Sequence, residues 1–250
     1  MIASLPEGMY GNINGLATGM PMLFAFPNIK FGLLVGTGAG IPNENDDVRL
    51  GDVVISKPGG TVGGVFQYDL GKAKPDAPNG WETVGSLNAP PEVLLRALGN
   101  MRSEHEMAES SVSELLRIAV NRYPKMAKSY TNPGATLDRL FKASYDHQPE
   151  TRTCADCDTA MIIDRPKRES TDPEIHYGII ACGNSLVRDA RVRDRIVAME
   201  PGTICIEMDA ASLMNHFPCM VIRGISSKYF RSGLVSSTNT IFRLCRLSQE

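Results

Sequence analysis

The chain has 250 residues, 42% hydrophobic and 6% aromatic, which suits one α/β domain or two small ones with a proper core. Its formal net charge of −2 argues against a dominant nucleic-acid footprint. The start, MIASLPEGMY, lacks the features of a signal peptide, and no apolar run approaches the ~20 residues of a membrane span. These features predict a cytoplasmic protein without a membrane or nucleic-acid partner.

Strand-like and helix-like segments alternate along the chain. Short apolar runs bounded by turn residues predict strands at 31–35, 52–56, 175–182, 203–207 and 219–225. Helical spacing and start signals predict helices at 90–104, 111–123, 188–199 and 211–217. The glycine-punctuated segment 58–72 predicts short strands or a hairpin. This alternation is typical of an α/β domain with a largely parallel sheet.

A polar, charged and proline-bearing segment, 123–173, interrupts this pattern and is predicted to be an irregular insertion. It holds Cys154-x-x-Cys157, which suits half of a zinc site, a redox pair or two spare thiols. A structural zinc site needs about four ligands. Since His147 and His176 do not give a standard second half, spare thiols are favoured and no metal is predicted.

The stretch GTGAG, residues 36–40, follows a predicted strand. Three glycines there can bring backbone N–H groups close to an anion, and Thr37 adds one hydroxyl. Neither the dinucleotide fingerprint GxGxxG nor a phosphate-binding Gly-Lys-Ser/Thr is present. An anion-binding loop and a plain tight turn both remain open.

The stretch IEMDAA, residues 206–211, places Glu207 and Asp209 around Met208 where a strand meets a helix. Paired acids at a strand tip can hold sugar hydroxyls through charge-assisted hydrogen bonds, one acid facing the ligand and the other supporting it. Acids also favour a helix N-terminus for its dipole alone. The residues themselves leave both interpretations open.

Three longer stretches occur in order: FGLLVGTGAGIPNENDDVRLGDVVIS, HYGIIACGNSLVRDARVRDRI and CIEMDAASLMNHFPCMVIRGIS. Together they resemble the nucleoside phosphorylase and nucleosidase superfamily. That superfamily holds purine nucleoside phosphorylases, uridine phosphorylases and methylthioadenosine/S-adenosylhomocysteine nucleosidases. The strongest likeness is to its fungal branch, which often occurs in NLR-like proteins and in ankyrin- or TPR-bearing ones. The similarity runs from about residue 2 to residue 226.

The resemblance implies a three-layer α/β/α fold with a mixed, largely parallel sheet, nucleoside phosphorylase-like. Residues 1–226 would form one domain that includes the 123–173 insertion, and 227–250 would be a divergent tail. The implied activity is cleavage of the N-glycosidic bond of purine nucleosides by phosphate or water, with phosphate as co-substrate and no other cofactor. The implied assembly is a homo-oligomer or one part of a larger multidomain protein.

The resemblance also assigns site residues. Gly36 to Ala39 matches the family's turn beside the ribose and the phosphate or attacking water, which makes Thr37 and Gly38 contact residues.

Two further matches imply contacts with the base and with the sugar. Leu186 and Val187 match the stretch that packs against the base. Met9, within EGMYG, matches a loop near the sugar.

The Glu207-Met208-Asp209 triplet matches the family's Glu-Met-Glu. There the methionine packs on the ribose and the last acid grips its hydroxyls, close to an oxocarbenium-like transition state. Asp209 is one methylene shorter than the usual glutamate.

One position departs from the family at the end of the last predicted strand. Ser226 matches the first residue of the family's Ser-Asp or Cys-Asp pair, and Ser227 takes the place of the acid that protonates the leaving purine. A positioned general acid contributes roughly 10² to 10⁴ in rate. The family's first strand and its usual C-terminal continuation also have no counterpart, so the domain is predicted to be truncated at both ends. Three outcomes stay open: an impaired enzyme, an inactive nucleoside-binding sensor or interaction module of an NLR-type receptor, and a poorly folding fragment.

Overall fold

The computed structural model describes residues 1–77, 80–132, 134, 137–145, 157–187 and 189–228. Its helices are α1 Asn12–Ala25, α2 Glu92–Met107, α3 Val112–Arg122, α4 Ala127–Tyr130, α5 Ala190–Met199 and α6 Ala211–Met214. Its strands are β1 Gly32–Gly40, β2 Val53–Ser56, β3 Val65–Gln67, β4 Gly71–Ala73, β5 Trp81–Thr83, β6 Ile175–Cys182, β7 Thr203–Glu207 and β8 Cys219–Lys228.

The six-stranded sheet has the order β2-β8-β1-β7-β6-β3. The pairs β1–β8, β2–β6, β3–β6 and β6–β7 are parallel, whereas β1–β7 and β2–β8 are antiparallel. The prediction of a mixed, largely parallel sheet is therefore confirmed. Strands β4 and β5 form a separate antiparallel hairpin.

Strand β6 divides one of its edges between two neighbours. Its first half pairs with β2, with Val53 opposite Ile175, and its second half pairs with β3, with Val65 opposite Ile180. Because β2 also pairs with β8, the sheet curves back on itself.

Helices cover both faces of the sheet, as the three-layer prediction required. Alternation along β8 places Val221 on one face and Met220 on the other. The Val221 face packs against α6 and the inner side of α1. The Met220 face packs against Leu94 and Leu98 of α2. Further along the sheet, Ile196 of α5 packs against Ala181 and Ile206.

The GTGAG stretch lies within β1, so the prediction of a tight turn at 36–40 is wrong. Its glycines are required by close packing of the strand against its neighbours. A Cβ atom on Gly38 would lie 2.6 Å from Cys205 Sγ, and one on Gly40 would lie 2.8 Å from Val48 Cγ1. A register shift between Gly38 and Ala39 adjusts the pairing with β8.

Helix α1 was not predicted from the sequence, because two glycines and an internal proline argue against a helix. The glycines serve close packing. A Cβ atom on Gly15 would lie 2.9 Å from the carbonyl oxygen of Asp209, and one on Gly19 would lie 2.7 Å from Leu213 Cδ2.

The described parts of 123–173 are irregular, with α4 and short 3₁₀ turns at Pro124–Met126 and Thr159–Met161. They nevertheless contribute buried side chains, among them Phe141 and Cys157. Cys154 and His147 lie outside the described residues.

Ion pairs anchor this segment to the start of β2. Both oxygens of the buried Asp52 carboxylate accept hydrogen bonds from Arg168, at 2.8 and 2.7 Å. The His176 Nε2 atom lies 2.9 Å from the same carboxylate. Arg165 in turn hydrogen-bonds Asp47 at 2.9 Å and the carbonyl oxygen of Asp138 at 2.7 Å.

Acid is expected to weaken this anchor. Burial alone would raise the pKa of the Asp52 carboxyl, but hydrogen bonds from Arg168, His176 and two backbone N–H groups lower it to about 2. Because the folded pKa lies below the usual value of 3.8, the anchor stabilises the fold above about pH 4 and is lost as pH falls through about 2. Its contribution at neutral pH is about 2 kcal/mol.

Urea unfolding at pH 7 should show a loss of this size in Arg168→Met and little change in the exposed neighbour Lys167→Met. Equal effects of the two substitutions would contradict the prediction.

Candidate functional site

The candidate site lies at the carboxyl ends of β6 and β7, where open α/β sheets place their ligands. Strand β6 ends beside the end of β7, with Cys182 opposite Glu207. The stretch GNSLV follows the first strand and the residues Met208 and Asp209 follow the second. The N-terminus of α1 joins them, because the Gly11 N–H donates a hydrogen bond to Asp209.

A buried ion pair supports this end of the sheet. Glu207 of β7 accepts hydrogen bonds from the N–H groups of Asp209, at 2.9 Å, and Ala210, at 3.2 Å, and from the guanidinium of Arg223 of β8. The side chains of Glu207 and Arg223 are 0% and 1% exposed. Both oxygens of Glu207 accept hydrogen bonds inside the protein, and its predicted contact with the ligand stays a prediction.

Arg223 was missed by the sequence analysis. Burial alone would lower the pKa of its guanidinium, but the carboxylates of Glu207 and Asp209 raise it, so the arginine stays charged. The sequence did contain one signal for Arg223: it is a basic residue inside an apolar strand. A buried charge of this kind needs a partner of opposite charge. The sequence could not identify that partner.

Asp209 is the acid that reaches solvent. Its Oδ1 accepts the Gly11 N–H at 2.8 Å, and its Oδ2 lies 3.3 Å from an Arg223 nitrogen. Its side chain is 15% exposed. An ionised carboxylate has about four acceptor positions, so Asp209 keeps acceptor capacity for donors that approach from outside. Both interpretations of IEMDAA stay open, because Glu207 also accepts the backbone N–H groups just before α6.

Asn12, the first residue of α1, connects the two loops of the site. Its amide nitrogen donates to the Asn184 side chain at 3.1 Å, and its amide oxygen accepts the Ser212 N–H at 3.1 Å. The Asn184 N–H donates to Asp69 at 2.7 Å. The GNSLV loop, the start of α1 and the start of α6 are therefore held as one unit.

The two residues assigned to the nucleobase differ in exposure. Leu186 is exposed, whereas Val187 is buried in the cluster that contains Ile196. The Val187 side chain packs in the core, and its predicted contact with the base stays a prediction. Beside them, the Tyr68 hydroxyl donates to the Ser185 carbonyl oxygen at 3.1 Å. Burial and the neighbouring Asp69 raise the pKa of Tyr68 to about 12, so its hydroxyl stays a donor.

The β1 residues of the predicted site divide between the faces of the sheet. Gly38 lies on the face of Arg223, whose Cβ would be 3.2 Å from a Cβ at this position. Gly38 is buried, and its predicted contact with a ligand stays a prediction. Strand alternation places the half-buried Thr37 on the opposite face, so the structure does not bring it together with Asp209.

The remaining predicted residues lie around the edge of this region. Met208 is half-buried beside Asp209, and Met9 is exposed two residues before Gly11. Ser227 belongs to β8, where its neighbour in β1 is Ala39.

Within the described ranges, no group of three or more histidine, cysteine, aspartate or glutamate side chains could hold a metal ion. In that same part of the chain, no helix has both the length and the apolar character needed to cross a membrane.

No protein family model matches the chain. Over 225 residues it is 37% identical to a nucleotide-binding leucine-rich repeat (NLR)-like protein of Hyaloscypha variabilis. The match covers 90% of this chain but 21% of that protein, so the chain spans about a fifth of the relative's length.

Two similar solved structures come from Helicobacter pylori. One is 5′-methylthioadenosine/S-adenosylhomocysteine nucleosidase with butyl-thio-DADMe-Immucillin-A, with 14% identity, a TM-score of 0.48 and coverage of 95% of this chain and 75% of that one. The other is futalosine hydrolase, with 15% identity, a TM-score of 0.47 and coverage of 94% and 74%. These likenesses are too distant to transfer an activity to this chain.

Proposed function

We infer that this chain is a nucleoside-binding domain whose chemistry is cleavage of the N-glycosidic bond of purine nucleosides, impaired by Ser227. The observation that carries the proposal is Asp209, a partly exposed carboxylate fixed by Arg223 and by the Gly11 N–H. The ordered stretches that resemble nucleoside phosphorylases and nucleosidases add the substrate class.

The proposed role of Asp209 is to accept hydrogen bonds from the ribose hydroxyls. A carboxylate that is already oriented loses little entropy when a sugar binds, and its bonds to hydroxyls are charge-assisted. The same negative charge would stabilise the positive charge that develops on the ribose as the bond to the base breaks. Met208 would pack on the sugar, and the exposed Leu186 would contact the base.

Slow turnover is the expected consequence of Ser227. A serine hydroxyl does not act as a strong acid at neutral pH. The leaving purine would therefore depart without the proton that the family's aspartate delivers. Binding and turnover are thus expected to separate in this chain.

A second candidate function is nucleoside binding without any turnover, as a sensor or interaction module. It is favoured by the 37% identity to a protein named as NLR-like, of which this chain matches 21%. The two candidates share the binding site and differ in whether product forms.

The two candidates can be tested together. Calorimetric titration with adenosine, inosine and methylthioadenosine measures binding, and chromatography after incubation with and without phosphate measures base release. Saturable binding with slow release supports the enzyme, and dependence of release on phosphate identifies phosphorolysis. Binding without release at high protein concentration supports the sensor. Absence of binding to all three nucleosides contradicts both.

Asp209→Asn is expected to weaken nucleoside binding by about tenfold to a hundredfold, the size of a hydrogen bond to a charged group. The amide keeps the shape of the side chain and an oxygen for the Gly11 N–H, so the fold should persist. Asp194→Asn, on the exposed side of α5, is the matched control and should leave affinity unchanged. Equal nucleoside affinities of the two variants would show that Asp209 does not bind the nucleoside.

A further inference from the structure

The residues proposed to hold the sugar and the base belong to two different segments of the chain. Asp209 follows β7, whereas Leu186 lies in the GNSLV loop that follows β6. A backbone hydrogen bond from the Gly183 N–H to the Glu207 carbonyl oxygen, at 3.3 Å, joins the two segments where the strands end. One nucleoside has to contact both segments at once, so their relative position beyond this bond matters for binding.

Asn12 joins the two segments beyond the strand ends. Its side-chain nitrogen donates to Asn184 Oδ1 of the GNSLV loop at 3.1 Å, and its side-chain oxygen accepts the Ser212 N–H of α6 at 3.1 Å. The Asn12 carbonyl oxygen also accepts the Ser212 hydroxyl at 2.6 Å. Asn12 is only 8% exposed, so water competes little for these bonds.

The groups on either side of Asn12 are themselves held in place. The Asn184 side-chain nitrogen and its backbone N–H both donate to Asp69 Oδ2, at 3.0 and 2.7 Å. Because an ionised carboxylate only accepts hydrogen bonds, the Asn184 nitrogen faces Asp69 and its oxygen is left for Asn12. On the other side, the N–H of Gly11, which precedes Asn12, donates to Asp209 at 2.8 Å. The hydrogen bonds therefore run from Asp69 to the segment that carries Asp209.

Asn14 provides a contrast within the same helix. Its side-chain nitrogen donates to the Tyr10 carbonyl oxygen at 2.9 Å, four residues away and exposed to solvent. Such a bond serves only the start of α1 itself. The side-chain bonds of Asn12 instead reach residues 172 and 200 positions away in the chain, and α1 has no side-chain cap to which Asn12 contributes.

We propose that Asn12 is a positioning residue that holds Asp209 and the GNSLV loop at the separation that one nucleoside requires. The inference rests on the proposed function. Freedom of one segment relative to the other would have to be lost on binding, which would weaken the affinity. An amide suits this role because it offers a donor to one segment and an acceptor to the other. Asn12 acts through Asn184 and Ser212 and needs no contact with the nucleoside.

Two substitutions that break the Asn12–Asn184 bond from opposite sides test the proposal. Asn12→Asp keeps an oxygen for the Ser212 N–H but has no donor for Asn184, and Asn184→Ala removes the acceptor without adding a charge. Calorimetry should show that each lowers the affinity for adenosine about threefold to tenfold, the size of one neutral hydrogen bond. Because both break the same bond, the double variant should bind adenosine no more weakly than the weaker of the two single variants.

Asn14→Asp is the matched control, because it adds the same charge to the same helix and should leave the affinity unchanged. Urea unfolding at pH 7 shows that each variant is folded under the conditions of the titration. Asn184 lies in an exposed loop, so Asn184→Ala is expected to keep the fold and tests the bond by itself.

The outcomes separate a positioning role from a purely structural one. A purely structural bond would change the free energy of unfolding but leave the adenosine affinity of the folded variants unchanged, which would overturn the proposal. Losses that multiply in the double variant would also overturn it, because the two residues would then act separately. Absence of binding by the unaltered chain to adenosine, inosine and methylthioadenosine contradicts the proposed function, and the role of Asn12 with it. Binding that both single variants leave unchanged contradicts the role of Asn12 alone.

Discussion

Arg223→Met is expected to lower the free energy of unfolding by about 3–5 kcal/mol, the usual result of leaving one member of a buried ion pair alone. The physical reason is the complete burial of Glu207, whose carboxylate would lose its cation without gaining water. Methionine has a comparable length, so packing contributes little to the expected loss. Urea unfolding at pH 7 measures the effect.

The matched control for this substitution is Arg96→Met on α2, which removes an exposed pair with Glu92. Exposed helical pairs contribute about 0.3–0.5 kcal/mol. The double variant Arg223→Met/Glu207→Gln should lose less than the sum of its single changes, because the uncharged amide no longer needs the cation. An effect of Arg223→Met no larger than that of Arg96→Met would show that the pair does not support the fold.

Ser227→Asp is expected to raise the rate of base release from purine nucleosides about 10²- to 10⁴-fold, the usual contribution of a positioned general acid. The reason is protonation of the leaving purine, which the resemblance assigns to an aspartate at this position. Ser227 lies on β8 opposite Ala39 of β1, and its part in protonating the base stays a prediction. Single-turnover assays with adenosine, inosine and methylthioadenosine measure the gain.

Ser226→Asp is the control for Ser227→Asp, because it adds the same acid one residue earlier, at a position that has no partner in β1 where the register shifts. It should not accelerate base release. Equal rates for both variants and the unaltered chain, with nucleoside binding intact, would mean that the site lacks more than this acid and would favour the sensor function.

Much of the sheet could be predicted from local sequence. Strands such as β6 and β7 are short apolar runs between turn residues, and this pattern identifies a buried strand without knowledge of its neighbours. Helix α1 could not be found in this way. Its Gly15 and Gly19 lower intrinsic helix propensity, and their value appears only when Asp209 and Leu213 are packed against them.

The candidate site likewise contains some features that local sequence predicts and others that depend on distant segments. Glu207 and Asp209 could be named as a functional pair because they are neighbours in the sequence. Their separate roles are set by Arg223, 16 residues from Glu207, and by Gly11, 198 residues from Asp209. Packing that joins such distant segments left no local signal for Asn12 or for the burial of Val187 and Gly38.

The order of strand pairing has a consequence for synthesis of the protein. Strand β1 ends at Gly40, but its neighbours β7 and β8 begin only at Thr203 and Cys219. The partners of strand β2, which are β6 and β8, are likewise synthesised much later than β2 itself. At about 5–20 residues per second, the first two strands therefore leave the ribosome on the order of ten seconds or more before any strand that pairs with them. During that time their apolar residues and backbone groups are exposed, which makes the nascent chain a natural client for chaperones that bind extended hydrophobic segments.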